Sequence, residues 1–468
     1  MFGEKKLKQV AKQALSYSKA DQTSLRQGYG RQAEVIIFVY DRGLTRFANS
    51  QIHQNVAADL ASVQVRAVVG PSAQRLAQGS GRGAKIGVAS ANSLAKDSLK
   101  KVVEKAYQLA RLQKVDPHFI SLPAPTAIQK INSFSEKTAK LTPAAKAKMV
   151  ADVIKVAKDA KLTASGAFDT DIAEIGIANS LGVWAYHAST SANLTTIFLG
   201  EDSTGYAGEA ATDVSKIKYQ EVAKKAAEKA LKSRKPVEIK PGDYEVVLEP
   251  AALDEVLFYF SWLGPNARIY HEEASFLTGK LGQKVFSENL TITEDAYDER
   301  GFPMPFDFEG VPKKSLPIVE KGVFKNVVYD SYHAGKHSGE LTGHALPAPN
   351  TWGPIPGHLR IEPGDKALEE MIKDVKKGLL VTRFWYIRML HPKLMNITGM
   401  TRDGTFLIRN GEIVGAVKNM RFTQSTPEAF SNVVSVGHDL KLEASHGQSN
   451  LVPAVHISSW HFSGVTQF

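Results

Sequence analysis

The 468-residue sequence contains no cysteine. That absence excludes a disulfide, a thiol nucleophile, a cysteine-bound iron–sulfur cluster and a cysteine-ligated zinc from this chain. No uninterrupted apolar run approaches the roughly 18 residues that a membrane-spanning helix needs. The opening stretch Met1–Leu15 lacks the apolar centre of a secretory signal. No membrane contact and a cytoplasmic location are therefore the expectations. No Gly-x-Ser-x-Gly nucleophile elbow occurs. Glycine (36) and proline (21) stand at ordinary levels, which excludes a collagen-like or low-complexity chain. No repeat of fixed period is visible.

What is present is a globular balance: 43% hydrophobic and 23% charged residues. The length fits two domains best. Lys and Arg (58) exceed Asp and Glu (48), for a net charge of +10. The cations lie mostly in mixed stretches such as Lys224-Lys225 with Glu228-Lys229, which read as solvated helix faces, so nucleic acid is set aside as a partner.

The expected fold class is α+β. Leu7, Val10, Ala11, Ala14 and Leu15 follow helical spacing. Glu34–Tyr40 reads as a strand, Asp41-Arg-Gly43 as a turn, and Thr45–Asn49 and Ser62–Val69 as strands. Gly79–Gly83 reads as a turn and Lys85–Ala89 as a short strand. Gly81–Gly87 has the wrong spacing for a dinucleotide fingerprint and leads into a strand, so that reading is rejected. Leu99, Val102, Val103, Ala106 and Ala110 mark a long helix. Thr142 and Pro143 look like an N-cap and first helical residue. Three short strands are expected near 173–178, 183–188 and 193–199, then a helix over Val222–Leu231. The chain breaks at Ser233–Pro236, which places an N-terminal α+β domain, with a sheet and long helices, over residues 1–237. Residues 238–468 follow as a mostly-β, barrel- or sandwich-like domain. Its signals are a strand at Tyr244–Glu249, an apolar helix at Ala251–Leu263, and turns at Lys321-Gly322, Asp403-Gly404 and Asn410-Gly411, the last a hairpin. A helix through Leu368, Met371, Ile372 and Val375 is expected to end at Gly378.

Most of the 13 histidines lie from His271 onward. His333 and His337 would share a helix face, and His344 could complete a metal site. The spacer holds no glutamate, and Gly335 and Gly339 weaken a helix, so a polar loop is the plainer reading. His271-Glu272-Glu273 opens like a metallopeptidase motif but has no second histidine at the needed distance. Glu294, Asp295, Asp298, Glu299, Asp307 and Glu309 cluster in sequence. Such a run can do acid–base work or hold a hard cation, and more often is a solvated loop. On residues alone, no active site stands out.

A set of ordered stretches resembles the TldD/PmbA family, also called modulators of DNA gyrase. They are Arg46–Ser50 with Ile52 and Gln54, Ile177–Gly182, Pro241–Pro250, Ser275–Gly282, Asp307–Pro312 and Ile318–Val323, followed by Thr342-Gly343 and Lys377–Leu379. The resemblance implies a heteromeric protease that encloses unfolded peptide and grips it as an added β-strand. It also implies two kinds of subunit. TldD-type subunits carry a zinc helix, His-Glu-x-x-x-His, and a distant cysteine ligand; PmbA-type (TldE) subunits lack both. Counted back from Ser275 by the family's spacing, the two histidine positions fall on Phe258 and Leu263, which cannot hold zinc. No histidine lies between His187 and His271, and the chain has no cysteine.

The expected function is thus that of a PmbA-like subunit with no catalytic residue and no cofactor of its own. Zinc would reside in a TldD-type partner, and a homodimer is the form to look for in isolation. Thr342, Gly343, His344 and Trp352 are the candidate peptide contacts, with His344 and Trp352 expected to be exposed. Two alternatives stand beside it. One is a separate metallohydrolase using His333, His337 and His344 with Glu340 as base. The other is a non-enzymatic modulator of DNA gyrase.

Overall fold

The computed structural model describes residues 1–18, 29–71 and 83–466. Its first sheet has six strands: β1 (Tyr29–Ala48), β2 (Gln51–Pro71), β3 (Lys85–Ala91), β4 (Thr163–Asn179), β5 (Trp184–Leu199) and β6 (Thr204–Ala211). The order is β3-β2-β1-β4-β5-β6, and every neighbouring pair is antiparallel. Successive side chains of a strand point to opposite faces. On β1, Ala33, Val35, Ile37 and Val39 face helices α1 (Glu4–Ser16) and α2 (Lys96–Leu112). Ile36 and Phe38 pack instead against Phe306 and Phe308 of the C-terminal half. Tyr40 and Arg42 continue that second face into a cavity.

Helix α3 (Pro143–Asp159) starts where Thr142 accepts a hydrogen bond from the Ala145 N–H, with Pro143 in the first turn. It shares an apolar cluster with α4 (Tyr219–Lys232), which lays Ala223, Ala226 and Ala230 against the sheet. The element order α-β-β-β-α therefore occurs twice and meets at the β1–β4 pair. Each edge strand brings a glycine against its helix backbone. A Cβ at Gly87 would lie 2.3 Å from Ala106 O, and one at Gly205 2.3 Å from Ala226 O. This internal repeat escapes a search for a fixed period because its parts differ in length: β1 and β2 have 20 and 21 residues, β4 and β5 have 17 and 16.

In the C-terminal half, β7 (Gly242–Leu248) leads into α5 (Pro250–Leu263). Short strands follow: β8 (Ile292–Glu294), β9 (Leu316–Glu320), β10 (Val323–Phe324) and β11 (Leu359–Ile361), with helix α6 (Ser331–His337) before β11 and α7 (Leu368–Asp374) after it. A long hairpin, β12 (Lys377–His391) and β13 (Asn396–Arg409), precedes β14 (Glu412–Ala416), β15 (Met420–Ser425) and β16 (Val433–Val436). The last strands are β17 (Lys441–Glu443), β18 (Asn450–Val452) and β19 (Val455–Val465). Strands β12, β7, β19, β15 and β13 pair in a ring that β13–β12 closes. The mostly-β C-terminal half thus contains a closed barrel. Phe384, Phe422 and Trp460 stack in its interior at 4.5–5.3 Å between ring centres. A second sheet, β10-β9-β8-β11-β18-β17, packs on the same apolar cluster, with α5 part of it.

Several local expectations fail. Asp41-Arg-Gly43 is no turn, because β1 runs through it with partners on β2 and β4. The turn is Asn49-Ser50, both at positive φ (51° and 56°), as a two-residue hairpin requires. The strands expected near 183–188 and 193–199 are one strand, β5, and β6 was not anticipated. Asp403-Gly404 lies inside β13 as a kink with φ of 55° and 129°, opposite a register shift in β12. Gly378 sits in β12 rather than capping α7, which ends at Asp374. His333–His337 is helical, not a loop, its first turn capped by Asp330. Lys321-Gly322 and Asn410-Gly411 do form hairpin turns. The expected turn at Gly79–Gly83 lies, Gly83 apart, outside the described residues. Among the described residues no helix is long and apolar enough to cross a membrane.

Candidate functional site

A cavity of about 570 Å³ lies between the second face of the N-terminal sheet and the C-terminal half. Alternation along the strands sets its floor: Tyr40 and Arg42 from β1, Asp169 and Asp171 from β4, His187 and Asn193 from β5. Arg42 pairs with Asp171 at 3.0 Å and lies over the Tyr40 ring. Burial pushes both Asp169 and Asp171 above the usual carboxylate range. The roof is built from loops around Met304, His344, His358 and Ser445, together with Phe258 of α5.

Phe258 is where the polar chemistry of the roof converges. Its ring centre lies 4.4 Å from that of His446. His446 Nε2 approaches Glu255 at 3.4 Å, and this contact raises the imidazole's pKa. One turn back on the helix, Asp254 accepts hydrogen bonds from Asn450 Nδ2 at 2.8 Å and from Ser445 Oγ. Burial pushes the Asp254 carboxyl up to about 6 in spite of those donors. Gln448 donates to Ser261 on the same helix.

A second polar group surrounds Glu294, which is fully buried. It accepts from the His358 N–H at 2.9 Å, and the His344 Nε2 and His358 Nδ1 atoms lie 3.4 Å from its Oε1. Burial alone would raise Glu294, but these two imidazoles hold it well below the usual range. Burial lowers the pKa of both histidines. Lys313 Nζ lies 3.2 Å from His358 Nδ1. Thr342 fixes the His344 ring. Its hydroxyl donates to Tyr329 O at 3.0 Å and accepts from Tyr329 N–H at 2.7 Å. His344 Nδ1 lies 2.9 Å from Thr342 Oγ1.

The residues singled out by sequence are thus dispersed. Phe258 lines the cavity, whereas Leu263 lies in the apolar core; neither offers an atom that binds a metal. Thr342, Gly343 and His344 are buried, correcting the expectation that His344 is exposed. The segment is drawn inward by the Thr342–Tyr329 bonds and by Gly343 (φ 74°), where a Cβ would meet Pro312 O at 2.3 Å. Of these, His344 is among the residues that line the cavity. Trp352 is half exposed, its ring tilted against that of Trp262 with centres 4.7 Å apart, outside the cavity lining. His333 bonds Asp330 at 2.7 Å, and the His337 ring lies flat on His271 at 3.9 Å. Glu340 pairs with Lys314. His344 has partners of its own, so the three histidines are not brought into one cluster. Among the described residues no group of three or more His, Asp or Glu side chains is arranged to hold a metal ion.

Sequence reasoning missed Asp254, Glu255, Ser445 and His446. The available signal was an acidic pair inside the otherwise apolar helix Ala251–Leu263, and the polar run Ser445–Asn450.

Residues 241–464 match the PmbA/TldA metallopeptidase C-terminal domain, and residues 136–234 match the PmbA/TldA metallopeptidase central domain. A metalloprotease of Methanocaldococcus jannaschii is 26% identical over 231 residues, 49% of this chain and 51% of that protein. Metalloprotease PmbA of Escherichia coli O157:H7 is 29% identical over 178 residues, 37% of each chain. The chain spans about half the length, or less, of the curated relatives it matches. Its fold is similar to that of TldE from Thermococcus kodakarensis and of a protein from Thermotoga maritima named as a DNA gyrase modulator. Each has a TM-score of 0.84, 20% identity, and coverage of 98% of this chain and 100% of the other. With both family domains matched in order over most of its length, the chain belongs to the PmbA/TldD metallopeptidase family.

Proposed function

We propose that this chain is a PmbA/TldE-type subunit that shapes a peptide-holding chamber and leaves bond cleavage to a zinc-bearing TldD-type partner. The observation that carries the reading is Phe258. The residue at the first expected zinc position faces the cavity, yet it presents an aromatic ring to His446 in place of a donor atom. Leu263, at the second, is packed among hydrocarbon. Zinc does not fit this pair, and no catalytic step is assigned to the chain.

The cavity suits an extended peptide. Its floor is a pleated sheet face with polar side chains, and its roof mixes Phe258, Met304 and Ile355 with His344 and Ser445. Of the contacts expected from sequence, His344 belongs to the cavity lining, which supports it as a contact; Thr342 and Gly343 hold its loop. A division near residues 237–238 would make the cavity an interdomain one. The separate metallohydrolase reading draws no support from histidines that each have other partners.

Reconstitution tests the proposal. The chain is mixed with a paralogue from the same genome that carries His-Glu-x-x-x-His, and cleavage of an unfolded polypeptide is followed. The expected result is cleavage by the pair alone, abolished by a chelator. Chelator-sensitive cleavage by this chain by itself would overturn it.

A further inference from the structure

The β12–β13 hairpin is part of the barrel wall: Phe384, Ile387, Met395 and Ile397 face the core, and other side chains on it are exposed. Trp385, Tyr386, Leu390 and Leu394 are each 45–61% exposed on it. Large apolar side chains grouped on one hairpin mark an interaction surface rather than the ordinary scatter of exposed residues. The charge on the hairpin is mainly of one sign: residues 377–409 contain six Lys or Arg and one acidic residue, Asp403. Arg383 is consumed by Asp403 at 2.6 Å. Arg388, Lys393 and Arg402 have no carboxylate partner among the described residues.

We infer that this face docks a folded protein partner whose matching surface is apolar and acidic. The assignment rests on the proposed subunit role, and the partner is then the zinc-bearing one. Trp, Tyr and Arg are the side chains that dominate protein–protein contacts, and here they are held ready. Arg388 stacks 4.0 Å from the Tyr386 ring centre, and Arg383 and Arg402 lie 5.1 and 5.9 Å from Trp385. Those guanidinium groups occupy the aromatic faces on which nucleic-acid bases would stack. The hairpin apex, His391-Pro392-Lys393-Leu394, carries a charge where a membrane-inserting tip would be apolar. A second copy of this chain would oppose cation to cation across a two-fold axis.

The position agrees with the partner's role. Arg383 and Phe384 also line a smaller cavity of about 320 Å³, which shares Asn193, Ser445 and His446 with the main one. A subunit seated on the hairpin therefore stands at the rim of the space that Phe258 faces.

The test uses the full chain, its Tyr386→Glu and Leu390→Glu variants, and the paralogue bearing His-Glu-x-x-x-His, with association followed by sedimentation. Both sites are exposed, so melting temperatures are expected to match the wild type. Each variant is expected to weaken the complex by about tenfold or more, and added salt to weaken the wild-type complex. Variants that bind as tightly as the wild type overturn the surface while leaving the subunit role intact. A wild-type chain that does not bind the paralogue overturns both. Phosphatidylserine vesicles and single-stranded oligothymidylate are run as separate probes. If the variants lose binding to either and keep the paralogue, the protein partner is the wrong assignment.

Discussion

At the scale of single residues, burial can outweigh the hydrogen bonds that reach a carboxylate. Asp254 illustrates it: two donors reach its carboxylate, yet burial leaves it at about 6. An aspartate is near 4 in the unfolded chain, so between pH 4 and 6 the folded state holds the extra proton. Stability contributed there is present at low pH and lost as pH rises to 6. Asp254→Asn removes the titration. Its melting temperature is expected to exceed the wild type's at pH 7.5, by the equivalent of about 2–3 kcal/mol, with the gap closing toward pH 4.5. A gap independent of pH would contradict the assignment. Sequence reasoning reached Phe258 and His344 but not this carboxylate or His446. Residues almost 200 positions apart meet here, and nothing local to Ser445–Asn450 says which helix they will cover.

At the scale of elements, helices were the most legible. The 3.6-residue stripe of α1, the Thr142 cap of α3 and the alanine face of α4 are local properties, and each survives in the fold. Turn signals inside long strands misled: Asp41–Gly43 is held by neighbours on both sides, and Asp403-Gly404 is taken up as a bulge within a continuing strand. The doubled α-β-β-β-α unit was hidden by unequal strand lengths. Its equivalence is testable at the two close approaches. Gly87→Ala and Gly205→Ala each put a methyl group 2.3 Å from helix backbone, so each is expected to cost about 1–3 kcal/mol of stability in chemical denaturation. Neutral behaviour at either glycine would show that helix and sheet are less tightly joined there.

At the scale of the whole molecule, a buried charge cluster ties the two halves together. Arg66 on β2 binds Glu34, its cross-strand partner on β1, at 2.6 Å, and Glu309 of the C-terminal half at 2.9 Å. Burial pushes Glu34 up to about 7 despite that arginine. Arg66→Met strands two carboxylates and is expected to cost about 3–5 kcal/mol, whereas adding Glu34→Gln and Glu309→Gln is expected to restore most of the loss. The cluster holds the roof over the sheet face, and so keeps the cavity that the proposed role needs. The most direct measurement of that role is the zinc content of the purified full-length chain after exposure to zinc and removal of the excess. A value far below one ion per chain, with no cleavage of unfolded polypeptide, is the expected result. One tightly held zinc per chain, lost together with peptidase activity on chelation, would contradict it.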